Sequence, residues 1–357
     1  MNTEKINSFV YRLYKLDNPP SNTAALAKFR RGIGDNFDDV SHDLPPWLLD
    51  CIEDPKQIGK FALVGSLFAL HRLPAQHETM GRSFARIKGS DSLEKRFISL
   101  LDAQGNELIQ RLREIIGLAK SQEVPIDYGS LLHDILNWEN PDQAVQFHWA
   151  RDYWSDSAIY ESLKQEVESD WKNEQASLKS KSRQEQDLNH NRLQAMIFTK
   201  YLQGLRENRA ALAHLRRGLG KSQGTIGMLP YIAPFLPDDK REYSAYFLTA
   251  SLFGIHALFT EQKYHDIGRI FRLLGEKKTS KEATQSLQRR FTALLDANQM
   301  DIGHHLRQVI SEANSAKPEI AVNYRQLLLD LIEWNNSSKH IQKRLAKSFF
   351  FDPKFIA

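Results

Sequence analysis

Residues 24–34, AALAKFRRGIG, return as residues 210–220, AALAHLRRGLG, identical at eight of eleven positions. A match of that quality inside one chain asks whether the rest repeats too, because the period of a repeat decides the architecture. It does. SLFALH at 66–71 is answered by SLFGIH at 251–256, and LEKRFISLLDA at 93–103 returns as LQRRFTALLDA at 287–297, identical at seven of eleven. Tyr128, Leu131, Leu132, Asp134 and Trp138 recur in the same spacing as Tyr324, Leu327, Leu328, Asp330 and Trp334. The order is collinear and the offset drifts from 186 to 196, so insertions fall in the connecting loops. Each unit is a whole domain, far longer than the roughly 20–50-residue repeats of a solenoid.

The matched blocks carry helical periodicity. Leu93, Phe97, Leu100 and Leu101, with Leu287, Phe291, Leu294 and Leu295 in the second copy, follow the i, i+4, i+7, i+8 spacing of one buried stripe. The opening block predicts a helix that starts near Asn22-Thr23, both capping residues, and closes at Gly32, which can take the left-handed conformation. Alternating, strand-like runs are scarce. The expected fold class is all-α: two tandem homologous helical-bundle domains of five or more helices each, over residues 1–160 and 191–357. Residues 161–190 are rich in Glu, Lys, Gln, Ser and Asp and contain no Gly or Pro, which predicts a charged helix fraying into a linker, with Trp171 packing locally.

Composition bounds the function. With 41% hydrophobic and 26% charged residues in 357, the chain is neither disordered nor fibrous. Its single cysteine, Cys51, excludes an intrachain disulfide and a Cys-based zinc cluster. The start, MNTEKINSFVYRLYKL, lacks the basic opening and apolar run of a secretion signal, and no run of about 18 apolar residues is free of charge. A cytoplasmic protein that does not cross a membrane is expected. The formal net charge of +4 hides an asymmetry: residues 1–160 hold 18 Lys and Arg against 22 Asp and Glu, whereas residues 191–357 hold 25 against 15. A basic half joined to an acidic one points to contact with a polyanion, because clustered cations release nucleic-acid counterions; a well-solvated basic surface is the plainer reading.

The arginines fall into repeated clusters. Arg30-Arg31 and Arg216-Arg217 close the first matched helix of each unit, where cations complement the helix dipole, and adjacent arginines project to different faces, so at least one is available to a phosphate. Gly81-Arg82-Ser83-Phe84-Ala85-Arg86 is answered by Gly268-Arg269-Ile270-Phe271-Arg272, a narrow cationic stripe in each copy. Arg96, Arg113, Arg290 and Arg307 flank the Leu/Phe stripe, a place where arginine stems cover apolar surface. No aromatic residue interleaves with these cations as a base-stacking platform does, so sugar–phosphate contact is favoured over base readout. Trp138, Trp334, His71 and His256 sit at helical spacing from apolar residues and read as core.

Enzymatic motifs are missing: there is no G-x-x-x-x-G-K-[ST] loop, no H-E-x-x-H, no G-x-S-x-G and no catalytic cysteine context. Gly32-x-Gly34 follows a helix rather than a strand. His133-Asp134 and His265-Asp266 resemble the pairs of metal-dependent phosphohydrolases but occupy non-equivalent places in the two units.

The succession ALAxxRRGxG, SLFxxH, a Gly-Arg block, LxxRFxxLLDA and LLxDxxxW, ending in the helix VQFHWARDYW or IQKRLAKSFF, resembles the CasB family, the small subunit of type I-E CRISPR Cascade surveillance complexes. No one motif is specific, but five in order, twice over, are. The resemblance covers residues 5–157 and 194–352. The family's usual protein is one unit present as two copies per complex; here both copies are fused. The resemblance implies a non-catalytic structural subunit in antiviral defence, with no enzyme activity, cofactor or metal. Its basic surfaces would stabilise the crRNA–target heteroduplex and the displaced non-target strand. The implied partners are the backbone and large Cascade subunits, crRNA and target DNA, chiefly the displaced single strand. Carried over residue by residue, the nucleic-acid-binding candidates are Arg30, Arg31, Arg82, Arg86 and Arg96, and Arg216, Arg217, Arg269, Arg272 and Arg290. Net charge assigns more of the nucleic-acid contact to the second unit and more protein contact to the first. The alternative is a helical protein–protein adaptor without direct nucleic-acid contact.

Overall fold

The computed structural model describes residues 3–16, 23–31, 34–40, 45–89, 91–155, 158–175, 183–221, 224–237, 239–262 and 264–351. The chain divides into two compact units, Met1–Ser155 and Asp156–Ala357. Both are helical. No strand occurs among the described residues, only isolated parallel bridges, Pro74 to Ile126 and Phe259 to Val322. No helix among them is long and apolar enough to cross a membrane.

The first unit comprises α1 (Thr3–Lys15), α2 (Thr23–Arg30), α3 (Ile58–Leu70), α4 (Met80–Ala85), α5 (Asp91–Asp102), α6 (Glu107–Ser121), α7 (Tyr128–Leu136) and α8 (Ala144–Trp154). Its centre is α3, IGKFALVGSLFAL, which is apolar all round and buries every residue from Phe61 to Ala69. A helix without a polar face has no side to offer water, so amphipathic neighbours must cover it. Helices α2, α6 and α7 do so. The stripe expected on α5 is buried at Leu93, Phe97, Leu100 and Leu101.

The second unit comprises α9 (Ala158–Gln175), α10 (Arg183–Gly204), α11 (Arg209–Arg216), α12 (Leu229–Ile232), α13 (Tyr243–Ile255), α14 (Ile267–Glu276), α15 (Lys281–Asp296), α16 (Ile302–Ser315), α17 (Tyr324–Ile332) and α18 (His340–Phe350). Here α13 takes the place of α3, and α11, α16 and α17 cover it. On α15 the stripe is buried at Leu287, Phe291 and Leu294, while Leu295 is only half-buried. Part of the stretch read as a linker is packed within this unit. Val167 on α9 is buried and Glu166 pairs with Lys200 at 2.7 Å, while Tyr160, expected at the end of the first unit, lies edge-on to Phe235 of the second at 5.7 Å. Residues 176–182 of that stretch lie outside the described residues.

Two repeated frames hold each unit. The buried indoles donate from Nε1 to a main-chain carbonyl beyond the striped helix, Trp138 to Ala103 and Trp334 to Ala297, each at 2.8 Å. The buried histidines lie at the end of the central helix. His71 Nε2 is 2.7 Å from the Val124 oxygen and His256 Nε2 is 2.8 Å from the Ile320 oxygen, and a carbonyl can only accept, so both nitrogens donate. Tyr128 and Tyr324 donate to the main-chain oxygens of these same histidines. The tryptophans and histidines are core residues, as their spacing predicts. The left-handed closure expected at Gly32 lies outside the described residues. Its counterpart, Gly218, is not left-handed; a Cβ there would meet Met228 Sδ at 2.2 Å and Ser251 Oγ at 2.6 Å, so a side chain would have to displace both.

Candidate nucleic-acid interface

The paired arginines owe their position to the packing of α2 on α3 and of α11 on α13. Phe29 is fully buried against Trp47, ring centroids 5.9 Å apart, and Leu215 is fully buried at the same place in the second unit. With that residue inside, the next two arginines must emerge. Both Arg30 and Arg31, and both Arg216 and Arg217, are exposed. Arg30 does not stay near its own helix end: its Nε donates to the Ala69 oxygen at 3.2 Å, in the last turn of α3. Arg216 repeats the bond, Nε to the Gly254 oxygen at 3.0 Å, in the last turn of α13. Each satisfies a carbonyl that a helix C-terminus leaves without an intrahelical donor. Anchoring through Nε holds the guanidinium still while its two terminal nitrogens form the fork that matches a phosphate.

In the first unit Arg30 borders a groove of about 450 Å³, lined also by Leu70, His71, Arg72, Leu73, Lys120 and Glu123. Three cations face one carboxylate there. The second unit places Ala257 and Asn314 where the first has Arg72 and Lys120, and Asn314 meets His256 Nδ1 at 2.9 Å. Net charge pointed to the second unit, but this cationic groove lies in the first. Arg72 and Lys120 escaped the sequence reading because comparing the copies selects what they share, and neither residue is shared.

The other candidates separate by their partners. Arg82, on the helix that Thr79 caps, and Arg96 are exposed. Arg86 pairs with Glu78 through both terminal nitrogens, at 2.9 and 2.5 Å. Arg269 and Arg272 are half-buried and approach the same carboxylate, Glu276, at 4.0 and 3.1 Å. Arg290 forms a bidentate pair with Glu312 at 2.7 and 3.1 Å, and Lys278 reaches the same carboxylate at 4.0 Å. Four of the ten are thus internally paired. Glu276 stands four residues after Arg272 on the same helix, a local pairing, whereas Glu78 and Glu312 stand 8 and 22 residues from their arginines and show in no local motif.

The His-Asp pairs have structural duties. The Asp134 carboxylate accepts from Trp149 Nε1 at 2.6 Å, and Asp266 caps α14 by accepting from the Arg269 amide at 3.0 Å. His265 Nε2 donates to the Ala321 oxygen at 2.8 Å. Among the described residues no group of three or more His, Cys, Asp or Glu is placed to hold a metal ion.

Duplicated helical bundles define a class: a tandem all-helical protein in which one arginine of each copy is anchored on the last turn of the central helix. A family model described as CRISPR-associated protein Cse2 matches twice, over residues 25–154 and 211–350, and the chain belongs to that family. A CRISPR-associated protein Cse2 from Thermus thermophilus is 34% identical over 168 residues, spanning 45% of this chain and 96% of that protein. The crystal structure of CasB from Thermus thermophilus is 29% identical, with 44% of this chain and 97% of that one covered and a TM-score of 0.35. The crystal structure of M. ruber CasB is 27% identical, with 44% and 92% covered and a TM-score of 0.38. The family model matches once in each half, so the family's unit is present here twice.

Proposed function

We propose that the chain is a non-catalytic structural small subunit of a cytoplasmic type I-E CRISPR Cascade complex, with both copies of the subunit fused. Its partners are the backbone and large subunits, the crRNA and the target DNA. The fusion raises the effective concentration of the second copy beside the first, a pairing that separate chains must find by assembly. Base pairing with the guide reads the sequence, and the protein holds the opened strands through backbone contacts.

The observation that carries this reading is the anchored arginine. Arg30 and Arg216 are exposed, repeated and fixed through Nε on the end of the central helix, so each is pre-organised toward a phosphate. Arg31, Arg82, Arg96 and Arg217 extend these exposed surfaces, and Arg72 and Lys120 deepen the groove of the first unit. The internally paired Arg86, Arg269, Arg272 and Arg290 contribute less, because a phosphate must compete with a carboxylate already in place. The two units share the contact, the first no less than the second.

Fluorescence anisotropy of the chain on mixed-sequence single-stranded DNA across a salt series tests this. Each phosphate contact adds about 0.7 to the log–log salt slope. The Arg30→Glu/Arg31→Glu variant should weaken binding at least as much as Arg216→Glu/Arg217→Glu, and Arg290→Gln should change it little. Absence of binding at low salt, both alone and when reconstituted with the other subunits, would shift the reading to a protein–protein adaptor.

A further inference from the structure

Beneath Trp138 the first unit encloses a cavity of about 260 Å³ between the end of α5 and the start of α8, lined by Leu101, Asp102, Gln104, Trp138, Glu139 and Gln146, among others. That volume suits one side chain rather than a whole small-molecule ligand, whose pockets start at about 300 Å³. Gln146 is 4% exposed and donates from Nε2 to the Trp138 oxygen at 2.9 Å, yet its Oε1 is buried without a hydrogen-bond partner. A buried acceptor left unmatched is unfavourable, so it marks where a donor belongs. The remaining charge around it is negative. Asp102 is exposed at the rim, and Glu139 is shared with Lys60 at 3.1 Å.

The second unit shows how the same frame looks when closed. Gln342 donates to the Trp334 oxygen at 2.9 Å and leaves its Oε1 equally unmatched. But Gln299 stands where the first unit has Gly105, and Asn335 where it has Glu139, and these two side chains bond across the mouth at 2.6 Å. A lysine, Lys339, replaces Gln143 beside it. One copy has therefore bridged the opening and lost a carboxylate, while the other keeps it open and acidic.

We propose that the cavity beneath Trp138 receives a basic side chain, an arginine or lysine presented by a partner protein. Its apolar stem lies along Leu101 and Trp138, and its charged head faces Asp102 and donates to Gln146 Oε1. This proposal does not depend on the nucleic-acid reading.

Titration of the full chain with N-acetylarginine amide, followed by the indole N–H resonance of Trp138, tests it, with the resonance assigned through a Trp138→Phe variant. A saturable shift is expected with the arginine amide and not with N-acetylcitrulline amide, its neutral analogue. Asp102→Asn, at an exposed position that leaves the fold intact, should weaken the shift several-fold, and Trp334 should not respond. No saturable shift, an equal response to the citrulline amide, or a response unchanged in Asp102→Asn would overturn the proposal and leave Gln146 Oε1 a buried, unmatched acceptor like Gln342 Oε1. Gln146→Leu, if folded, should also abolish the shift.

Discussion

In the first unit a threonine faces an aspartate; in the second an aspartate faces a serine. Thr79 caps α4 and donates from Oγ1 to Asp152 on α8 at 2.5 Å. Asp266 caps α14 and accepts from Ser348 Oγ on α18 at 2.8 Å. The bond survives duplication with its two chemical halves exchanged. The same position of the last helix reaches the carboxylate in both units, His148 lying 3.6 Å from Asp152 and Arg344 lying 3.5 Å from Asp266. The fold thus requires a polar link between a helix cap and the last helix, and leaves open which side carries the charge. The backbone at this crossing has no such freedom. A Cβ on Gly81 would sit 2.2 Å from the Trp149 oxygen, and one on Gly268 would sit 2.2 Å from the Leu345 oxygen.

The largest effect should come from that crossing, because a main-chain carbonyl cannot swing aside. Gly81→Ala and Gly268→Ala should each destabilise their own unit by about 3 kcal/mol or more, at the upper end for overpacking. Hydrogen exchange resolved by unit reads the two losses separately. A loss below about 1 kcal/mol in either would mean that the paired helices slide apart at little cost, and that the glycines are shared by descent alone.

This crossing also shows what a sequence can and cannot disclose. The Gly-Arg block was visible twice, but it drew attention to its arginines, whereas the glycine is what the packing demands. The apolar helices α3 and α13, the tryptophans and the histidines were legible because burial leaves a periodic signature in neighbouring residues. The Thr79–Asp152 and Asp266–Ser348 bonds were not, since they join residues 73 and 82 apart and exchange their types. Aligning the copies hides such a pair by making both positions look variable. The ten candidate arginines were all legible as cations, but the pairing of Arg290 with Glu312 depends on another helix, and that of Arg86 with Glu78 on the loop before α4.

The next effect concerns the acids that match in sequence. Asp134 accepts from the Trp149 indole at 2.6 Å, and burial raises its pKa. Asp330 has no indole; it accepts from Arg344 at 2.5 Å and Gln326 at 2.8 Å, and burial still pushes it up to about 6, against the pull of that arginine. The folded state then holds the proton more tightly than the unfolded chain does. Stability from this group is greatest below the unfolded value near 3.8, falls as pH rises toward 6 and is flat above. Between pH 4 and 6.5, the stability of the wild type relative to Asp330→Asn should drop by about 2 to 3 kcal/mol. Urea unfolding at several pH values checks it. A flat difference would mean that Arg344 keeps the carboxylate ionised throughout.

A smaller effect tests the exchange itself. Thr79→Asp sets two carboxylates against each other and should destabilise the first unit by about 2 kcal/mol, a loss typical of an unmatched, partly buried polar contact. Adding Asp152→Ser to that variant imports the arrangement of the second unit and should restore most of the loss. The coupling in this double-mutant cycle is the measure of the link. Without rescue, the reach of the flanking side chain would be the reason: His148 lies 3.6 Å from the carboxylate on its own helix, whereas the longer Arg344 reaches both Asp266 and Asp330.

The smallest contrast lies on the stripe that first indicated helices. Leu101 and Leu295 occupy the same position in sequence, but Leu101 is 2% exposed and Leu295 only half-buried. The upstream anchors match: Phe97 stacks on Tyr153 at 4.1 Å between ring centroids, and Phe291 meets Phe349 at 4.3 Å. The difference therefore belongs to the ends of α5 and α15, next to the open cavity of the first unit and the bridged mouth of the second. Leu101→Ala removes a fully buried side chain and should cost about 3 kcal/mol; Leu295→Ala should cost about 1, since part of that surface already meets solvent. If the two losses are equal, the end of α15 packs as tightly as its counterpart. The side-chain bridge between Gln299 and Asn335 would then be closing a second cavity rather than standing over a filled one.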